Sequence, residues 1–520
     1  MITINIFDFE KYFRDDNIYR KTLYFIFIVA TALRIYRVCI TGPVSFDEAY
    51  STWVGSKSLL SLFAIAAMDK HPPLYYLIMH FWNFFGYSET WIRIPSLMAS
   101  VLSLYIFIKV SASVLKSRLA VISAFFLFAV DISQIQYASI ARSYAIDSLF
   151  VLLSVYAFFK ILQGNYAKKW LRLNLLSNIL LILLTYTGGF VFLAQALIIT
   201  WMYFFDSEKR KSVNHWVKYH LLVILICLVL TPYIYNQLSV GGFAPKWIAE
   251  VVGKPWLELL YFQGTLLNLE LFNIESLQFR LLLGSLIALV IFLSSFSIKD
   301  KFKINRDLQF WTLILIYSFP PIVFWLISKI EPIFVSRYFL IFYFAYYILL
   351  TYALYNIRYV KRIAPIVTLF FIFGVISLFK GVFSDFYKES DWPAKSAVIA
   401  SNWQKNDVIF VIPHADGLRV KFYLRNMDKY KIDLNIYRDI FRSKTKQVST
   451  AVLDSTFNNW KYPYKRIWFH EEKGTGLAAE FEVVQTEGFI YSYLDSMFTH
   501  DQKYDFEDDR GKLSLFEIKK

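Results

Sequence analysis

Two short stretches hold acids and a histidine among aromatic rings. "VSFDEAYSTW" (44–53) carries Asp47 and Glu48, and "DKHPPLYYLIMHFW" (69–82) carries Asp69, Lys70 and His71. Further along, "QYASIARSYAI" (136–146) places Arg142 two residues before Tyr144, and "EPIFVSRYFLIF" (331–342) places Arg337 directly before Tyr338. A carboxylate in such a setting can take a proton from a hydroxyl. Two arginines with hydroxyls beside them can hold a phosphate through paired hydrogen bonds. Each piece also has a plainer reading. Asp47 and Glu48 could be a solvated turn after Pro43, His71 an interfacial or capping side chain, and the arginines anchors to lipid headgroups.

The setting decides between these readings. The chain has 520 residues, 57% hydrophobic and 18% charged, with a mean hydropathy of +0.43. Soluble domains carry about 25% charged residues, so the balance points to the bilayer. Aromatics make up 19%, as suits rings anchored at lipid–water interfaces. The net charge of +15 fits basic cytoplasmic loops and does not call for nucleic acid. Cys39 and Cys227 both fall in apolar runs, which argues against a disulfide framework or a zinc site. The first apolar run is long and lacks a small-residue cleavage site, so it reads as a signal anchor.

Apolar runs of spanning length, about 20 residues each, give about eleven candidate spans. They lie near 22–40, 94–115, 119–135, 143–162, 171–187, 188–205, 219–236, 279–297, 309–328, 338–356 and 365–383, with Gly188-Gly189 as a tight external turn. If the N-terminus is cytoplasmic, every predicted inside loop is basic, as at Lys116 and Arg118, Lys168 and Lys169, Lys209 to Lys211, and Lys299 to Arg306. Residues 384–520 then lie outside the cytoplasm. Two outside loops are long, 41–93 and 237–278; the first carries the acids and has apolar segments too short to span, which should lie along the interface. Within the tail, "DVIFVIP" and "RIWFH" read as buried strands, and "PAKSAVIASNWQK" and "ADGLRVKFYLRN" as amphipathic helices. "GTGLAA" (474–479) reads as a plain strand-to-helix turn. The expected fold is an all-α polytopic membrane domain (1–383) with a small C-terminal α/β domain (384–520), multi-pass in the inner (plasma) membrane.

Taken in order, "FDEAY", "DKHPPLYYLIMHFWNFFGYSETWIRIPSLMAS", "QYASIARSYAI", "TYTGGFVFLAQ" and "SRYFLIF" resemble the bacterial C-type membrane glycosyltransferases. The pattern is similar to the protein O-mannosyltransferase-like family and to the lipid A aminoarabinose transferases, over roughly residues 20–385. One position departs: many relatives carry Glu two residues before the arginine of the "aR.Y" motif, and here Ile140 stands there.

The resemblance implies a GT-C-like fold and transfer of a sugar from a polyprenyl-phosphate carrier to an extracytoplasmic lipid, glycan or protein acceptor. It implies Asp47 as general base, Glu48, Asp69 and His71 as orienting groups or ligands of a shared divalent cation, and inversion at the anomeric carbon through single in-line attack. Lys70, Arg142, Tyr144, Arg337 and Tyr338 would hold the donor phosphate. The chemistry is consistent with a lipid donor. No nucleotide-phosphate loop is present. A phosphate monoester, whose second pKa is about 6, leaves readily when cations support it. Two other readings share parts of the pattern. A flippase or transporter of lipid-linked sugars would place charges near the bilayer midplane and show repeat symmetry, and no internal repeat is evident. A non-catalytic cell-envelope assembly protein would be indifferent to Asp47.

Overall fold

The computed structural model describes residues 15–164, 167–206, 210–241, 296–297, 303–304, 307–329, 336–356, 369, 372, 374–376, 390–412, 416–425, 430, 432, 453–454, 463–472, 489–508 and 511–518. The chain resolves into two compact units. One comprises residues 1–40 and 58–384; the other comprises 41–57 and 385–520. The sequence expectation had the boundary at 383/384 and kept the whole 41–93 loop with the membrane domain. The structure moves residues 41–57 into the unit of the C-terminal segment.

The first unit is helical. Its helices are α1 (Asp16–Ile40), then, after the 41–57 excursion that contains α2 (Phe46–Gly55), α3 (Leu59–Ala66) and α4 (Leu74–Trp82). These last two are the short apolar segments expected of the first outside loop. There follow α5 (Glu89–Val114), α6 (Arg118–Val130), α7 (Ile132–Ala138), α8 (Tyr144–Leu162), α9 (Lys168–Leu184), α10 (Gly189–Phe205), α11 (Arg210–Gly241), α12 (Leu308–Ile327) and α13 (Tyr343–Asn356). A two-residue antiparallel pair, β1 (Phe296–Ser297) and β2 (Lys303–Ile304), lies between α11 and α12.

Among the described residues, seven helices are long and apolar enough to cross a membrane, or eight if α6 and α7 count as one broken span. The expected eleven are not all present in that form. Helix α9 has 17 residues, just under crossing length, and the expected spans at 279–297 and 365–383 lie almost wholly outside the described residues. The expected span at 119–135 bends by 51° between α6 and α7. Asp131 is the cause. Its carboxylate caps α7 by accepting from Ser133 N (2.7 Å) and also accepts from Tyr347 Oη (2.7 Å). Arg34 closes the open end of α6: it donates to the carbonyl of Ala129 (3.0 Å) and, through Nε, to Ser100 Oγ (2.9 Å).

Hydrogen bonds between polar side chains join helices α8 to α11. Asn174 Nδ2 donates to Gln195 Oε1 (3.1 Å), Asn178 Nδ2 to the same oxygen (3.0 Å), Gln195 Nε2 to Ser154 Oγ (2.8 Å) and Trp216 Nε1 to Asn174 Oδ1 (2.9 Å). In a lipid environment such bonds fix which faces of the helices meet. The Gly188-Gly189 turn is a single 3-10 turn, Tyr186–Gly188. Gly188 is needed for proximity: a Cβ there would lie 2.4 Å from Leu181 Cγ.

In the second unit, α14 (Trp392–Asn402) precedes β3 (Asp407–Ile412), and α15 (Asp416–Leu424) follows it. Then come β4 (Arg466–Glu472), α16 (Phe489–Met497), β5 (Thr499–Asp508) and β6 (Gly511–Glu517). The sheet order is β3-β4-β6-β5, with β3 and β4 parallel and the other pairs antiparallel. Strand β3 is buried throughout. Val408, Phe410 and Ile412 pack with α16 residues Ile490 and Leu494, whereas Ile409 and Val411 pack with Trp392, Val420 and Leu424 of α14 and α15. A buried ion pair ties β3 to β4: Arg466 donates twice to Asp407 (2.8 and 2.7 Å), and Trp468 Nε1 adds a third bond (2.9 Å).

Candidate active site

The first unit encloses a cavity of about 630 Å³. Lys70, His71, Arg142, Tyr144, Arg337 and Tyr338 all line it. Thus all five residues expected to hold a phosphate, from three separate regions of sequence, meet on one wall set. Much of the remaining lining is apolar, including Ile182, Leu184, Phe190, Leu193, Ile224 and Ile341.

Local sequence explains how each group is presented. Pro72 and Pro73 cannot continue a helix, and α4 starts at Leu74, so Lys70 and His71 sit in the turn before it. Gln237, near the end of α11, holds that turn: its Nε2 donates to the carbonyls of Ala66 (2.8 Å) and His71 (3.2 Å), while its Oε1 accepts from Tyr186 Oη (2.7 Å). Arg142 lies in the turn between α7 and α8, where Ile140 accepts from its backbone N–H (2.8 Å) and Ser96 Oγ donates to its carbonyl (3.1 Å). Its Nη2 is 3.0 Å from His71 Nε2. Arg337 occupies the 3-10 turn Ser336–Phe342, its guanidinium carbon 5.8 Å from the ring of Tyr338.

Asp147 lines the cavity from the first turn of α8 and is buried. Ser143 Oγ donates to its Oδ2 (2.9 Å), and Arg142 contributes a favourable charge; its Oδ1 takes no hydrogen bond among the described residues. Asp147, Tyr186 and Gln237 are the site residues that the sequence reading passed over. Asp147 and Gln237 carry a legible signal, since each is a polar group inside an otherwise apolar run.

Asp69 does not line the cavity. Its Oδ2 accepts from Tyr76 Oη, and Tyr76 is a cavity residue. Asp47 and Glu48 stand on α2 in the other unit. Their environments differ. Glu48 completes a capping box: its Oε2 accepts from Ser45 N (2.9 Å) and Ser45 Oγ (3.1 Å), and its own N–H reaches Ser45 Oγ (3.4 Å). The S-x-x-E signature at 45–48 announces this box in the sequence. Asp47, half-buried on the preceding position, is not a member of the box.

Glu48 directs a carboxylate oxygen to its own helix cap. Among the described residues, no group of three His, Cys, Asp or Glu side chains gathers in a metal-holding arrangement.

The fold has known counterparts. The crystal structure of ArnT from Cupriavidus metallidurans in the apo state is similar at a TM-score of 0.54 and 11% identity, covering 95% of this chain and 97% of that one. The same protein bound to undecaprenyl phosphate gives 0.55 and 12%, with coverage of 95% and 97%. The Archaeoglobus fulgidus oligosaccharyltransferase in complex with Zn and sulfate gives 0.52 and 11%, covering 86% of this chain and 68% of that one. The fold is therefore that of the C-type membrane glycosyltransferases, as the motifs anticipated. Residues 70–235, which carry Lys70, His71, Arg142 and Tyr144, match the family model described as dolichyl-phosphate-mannose-protein mannosyltransferase. No curated protein matches the chain.

Proposed function

We propose that this protein is a membrane glycosyltransferase that moves a sugar from a polyprenyl-phosphate carrier to an acceptor outside the cytoplasm. The observation that carries this reading is the convergence of Lys70, Arg142 and Arg337, with the hydroxyls of Tyr144 and Tyr338, on one cavity with a largely apolar remainder. Three cations and two phenols suit a phosphate, and the apolar lining suits a polyprenyl chain. The undecaprenyl phosphate bound by the similar ArnT structure supports the same ligand class.

In the reaction, Asp47 takes the proton of the acceptor hydroxyl, the acceptor oxygen attacks the anomeric carbon, and the bond from that carbon to the phosphate oxygen breaks. The carrier leaves as its phosphate monoester. Lys70, Arg142 and Arg337 stabilise the charge that develops on the leaving oxygen, so no strong general acid is needed. Attack in line with the leaving group inverts the anomeric configuration. The orientation that serves this chemistry places the N-terminus in the cytoplasm and residues 384–520 outside, and the basic inside loops support it. Sugar and acceptor are found by mass spectrometry of lipid-linked sugar pools and surface glycans with and without the gene. The reading requires a lipid-linked sugar to accumulate, and a glycan to lose that sugar, when the gene is deleted; identical pools and glycans in both strains would refute it.

A further inference from the structure

We propose that the C-terminal segment carries helix α2 as one of its own elements and that Tyr423 is a positioning residue for Asp47. The inference rests on the assignment of Asp47 as general base. It assigns the soluble unit a task in the reaction.

Three observations lead to it. First, residues 41–57 share a compact unit with 385–520, although in sequence they are flanked on both sides by the helical unit. Second, the backbone N–H of Val44 donates to Tyr423 Oη at 2.8 Å, a bond between residues 379 positions apart. Val44 is fully buried, so this donor has no access to bulk water and the phenol oxygen satisfies it. Third, Tyr423 is itself held. It packs against the cluster in which Val420 and Leu424 of α15 meet Ile409, Val411, Trp392 and Trp468. Tyr423 thus transmits the position of the sheet and its helices to one backbone atom.

That atom is well placed for control. Val44 immediately precedes Ser45, the N-cap of α2, and the capping box between Ser45 and Glu48 sets the first turn. Asp47 lies within that turn. Anchoring Val44 N and closing the box therefore fixes where the Asp47 carboxylate emerges.

The residues that line the donor cavity all belong to the other unit. Loosening α2 should therefore impair turnover while sparing carrier binding. Tyr423→Phe tests this, because it keeps the ring and removes only the hydroxyl. In the full chain in nanodiscs, losing this bond should speed amide exchange across 46–55 roughly five-fold, with exchange at 407–412 unchanged as the control for folding. In membranes from gene-deleted cells, which supply donor and acceptor, release of undecaprenyl phosphate should fall roughly five-fold, while affinity for added undecaprenyl phosphate stays within about two-fold. Unchanged exchange across 46–55 overturns the anchoring. Faster exchange with undiminished turnover, or a loss that appears in carrier affinity instead, overturns the positioning role. Full turnover by Asp47→Asn would instead refute the base assignment, and the exchange data would still report the anchoring separately.

Discussion

Arg142 Nη2 stands 3.0 Å from His71 Nε2, joining two turns that are 71 residues apart in sequence. A guanidinium has donors only, so the imidazole nitrogen must accept, and the His71 ring carries its proton on Nδ1. His71 in this form orients Arg142 on the wall of the cavity. His71→Ala should weaken undecaprenyl phosphate binding, and His71→Gln, which restores an acceptor, should recover part of it. Equal binding by wild type and His71→Ala in nanodiscs would show that the contact does not matter to the phosphate.

Arg142→Ala and Arg337→Ala should each cost roughly 1.5–3 kcal/mol of carrier affinity, as expected for loss of a charged hydrogen bond. The double variant should lose less than the sum if both groups hold the same phosphate. Native mass spectrometry of purified protein with undecaprenyl phosphate measures all three. Full additivity in the double variant would separate the two arginines into independent sites.

Asp47 and Glu48 are adjacent in sequence and should differ in kind when altered. Asp47→Asn keeps size and cannot take a proton, so transfer should drop by about 10²–10⁴-fold without loss of carrier binding. Glu48→Gln weakens a helix cap, and should lower stability by about 1 kcal/mol with a smaller effect on turnover. Turnover and thermal unfolding measured side by side discriminate them. The reverse pattern would transfer the base assignment to Glu48.

Gly188→Ala should destabilise the helical unit by about 1–3 kcal/mol, because the new methyl meets Leu181 Cγ at 2.4 Å. Leu181→Ala in the same chain should relieve the clash, so the pair of substitutions should cost less than the sum of the two. Thermal unfolding in detergent reads this, and simple addition of the two losses would show that the backbone moves aside.

His470 predicts a pH dependence for the second unit. Burial, followed by the charge of Lys395, pushes its imidazole down to about 3, and its Nδ1–H donates to Lys512 O at 3.2 Å. The folded value lies below that of an unfolded histidine, about 6.5. Above that pH the group has no effect. Between pH 6.5 and 3 the unfolded chain binds a proton that the folded chain refuses, so stability falls by up to about 1.4 kcal/mol per pH unit. Unfolding of the full chain at pH 7 and 4.5 should show a smaller loss for His470→Leu than for wild type. Equal losses would mean that other groups dominate the acid response.

What was readable in the sequence follows from how local each signal is. Strands β3 and β4 and helices α14 and α15 coincide with the stretches that composition and period marked, because a buried strand and an amphipathic helix declare themselves within a few residues. The cavity residues were legible as chemistry: cations where lipid-facing sequence disfavours them. The break at Asp131 was not, since one acid in an apolar run does not say whether it will cap a new helix until Tyr347 and Arg34 are seen beside it. Gln237 stood out as a polar group in an apolar run, but its task did not, because its partners are backbone carbonyls at Ala66 and His71. The membership of α2 had no local mark, because it is expressed in a contact with Tyr423.

That contact also sets a timetable for synthesis. Val44 leaves the ribosome 379 residues before Tyr423, a delay of about 20–75 s at ordinary elongation rates. Throughout that interval the segment of α2 lacks its anchor. The helical unit must be inserted with this segment still waiting, and a chain truncated before residue 416 would strand it permanently. The C-terminal segment is thus a late-arriving part of the machine, and losing it should leave a correctly threaded membrane unit with a misplaced acid.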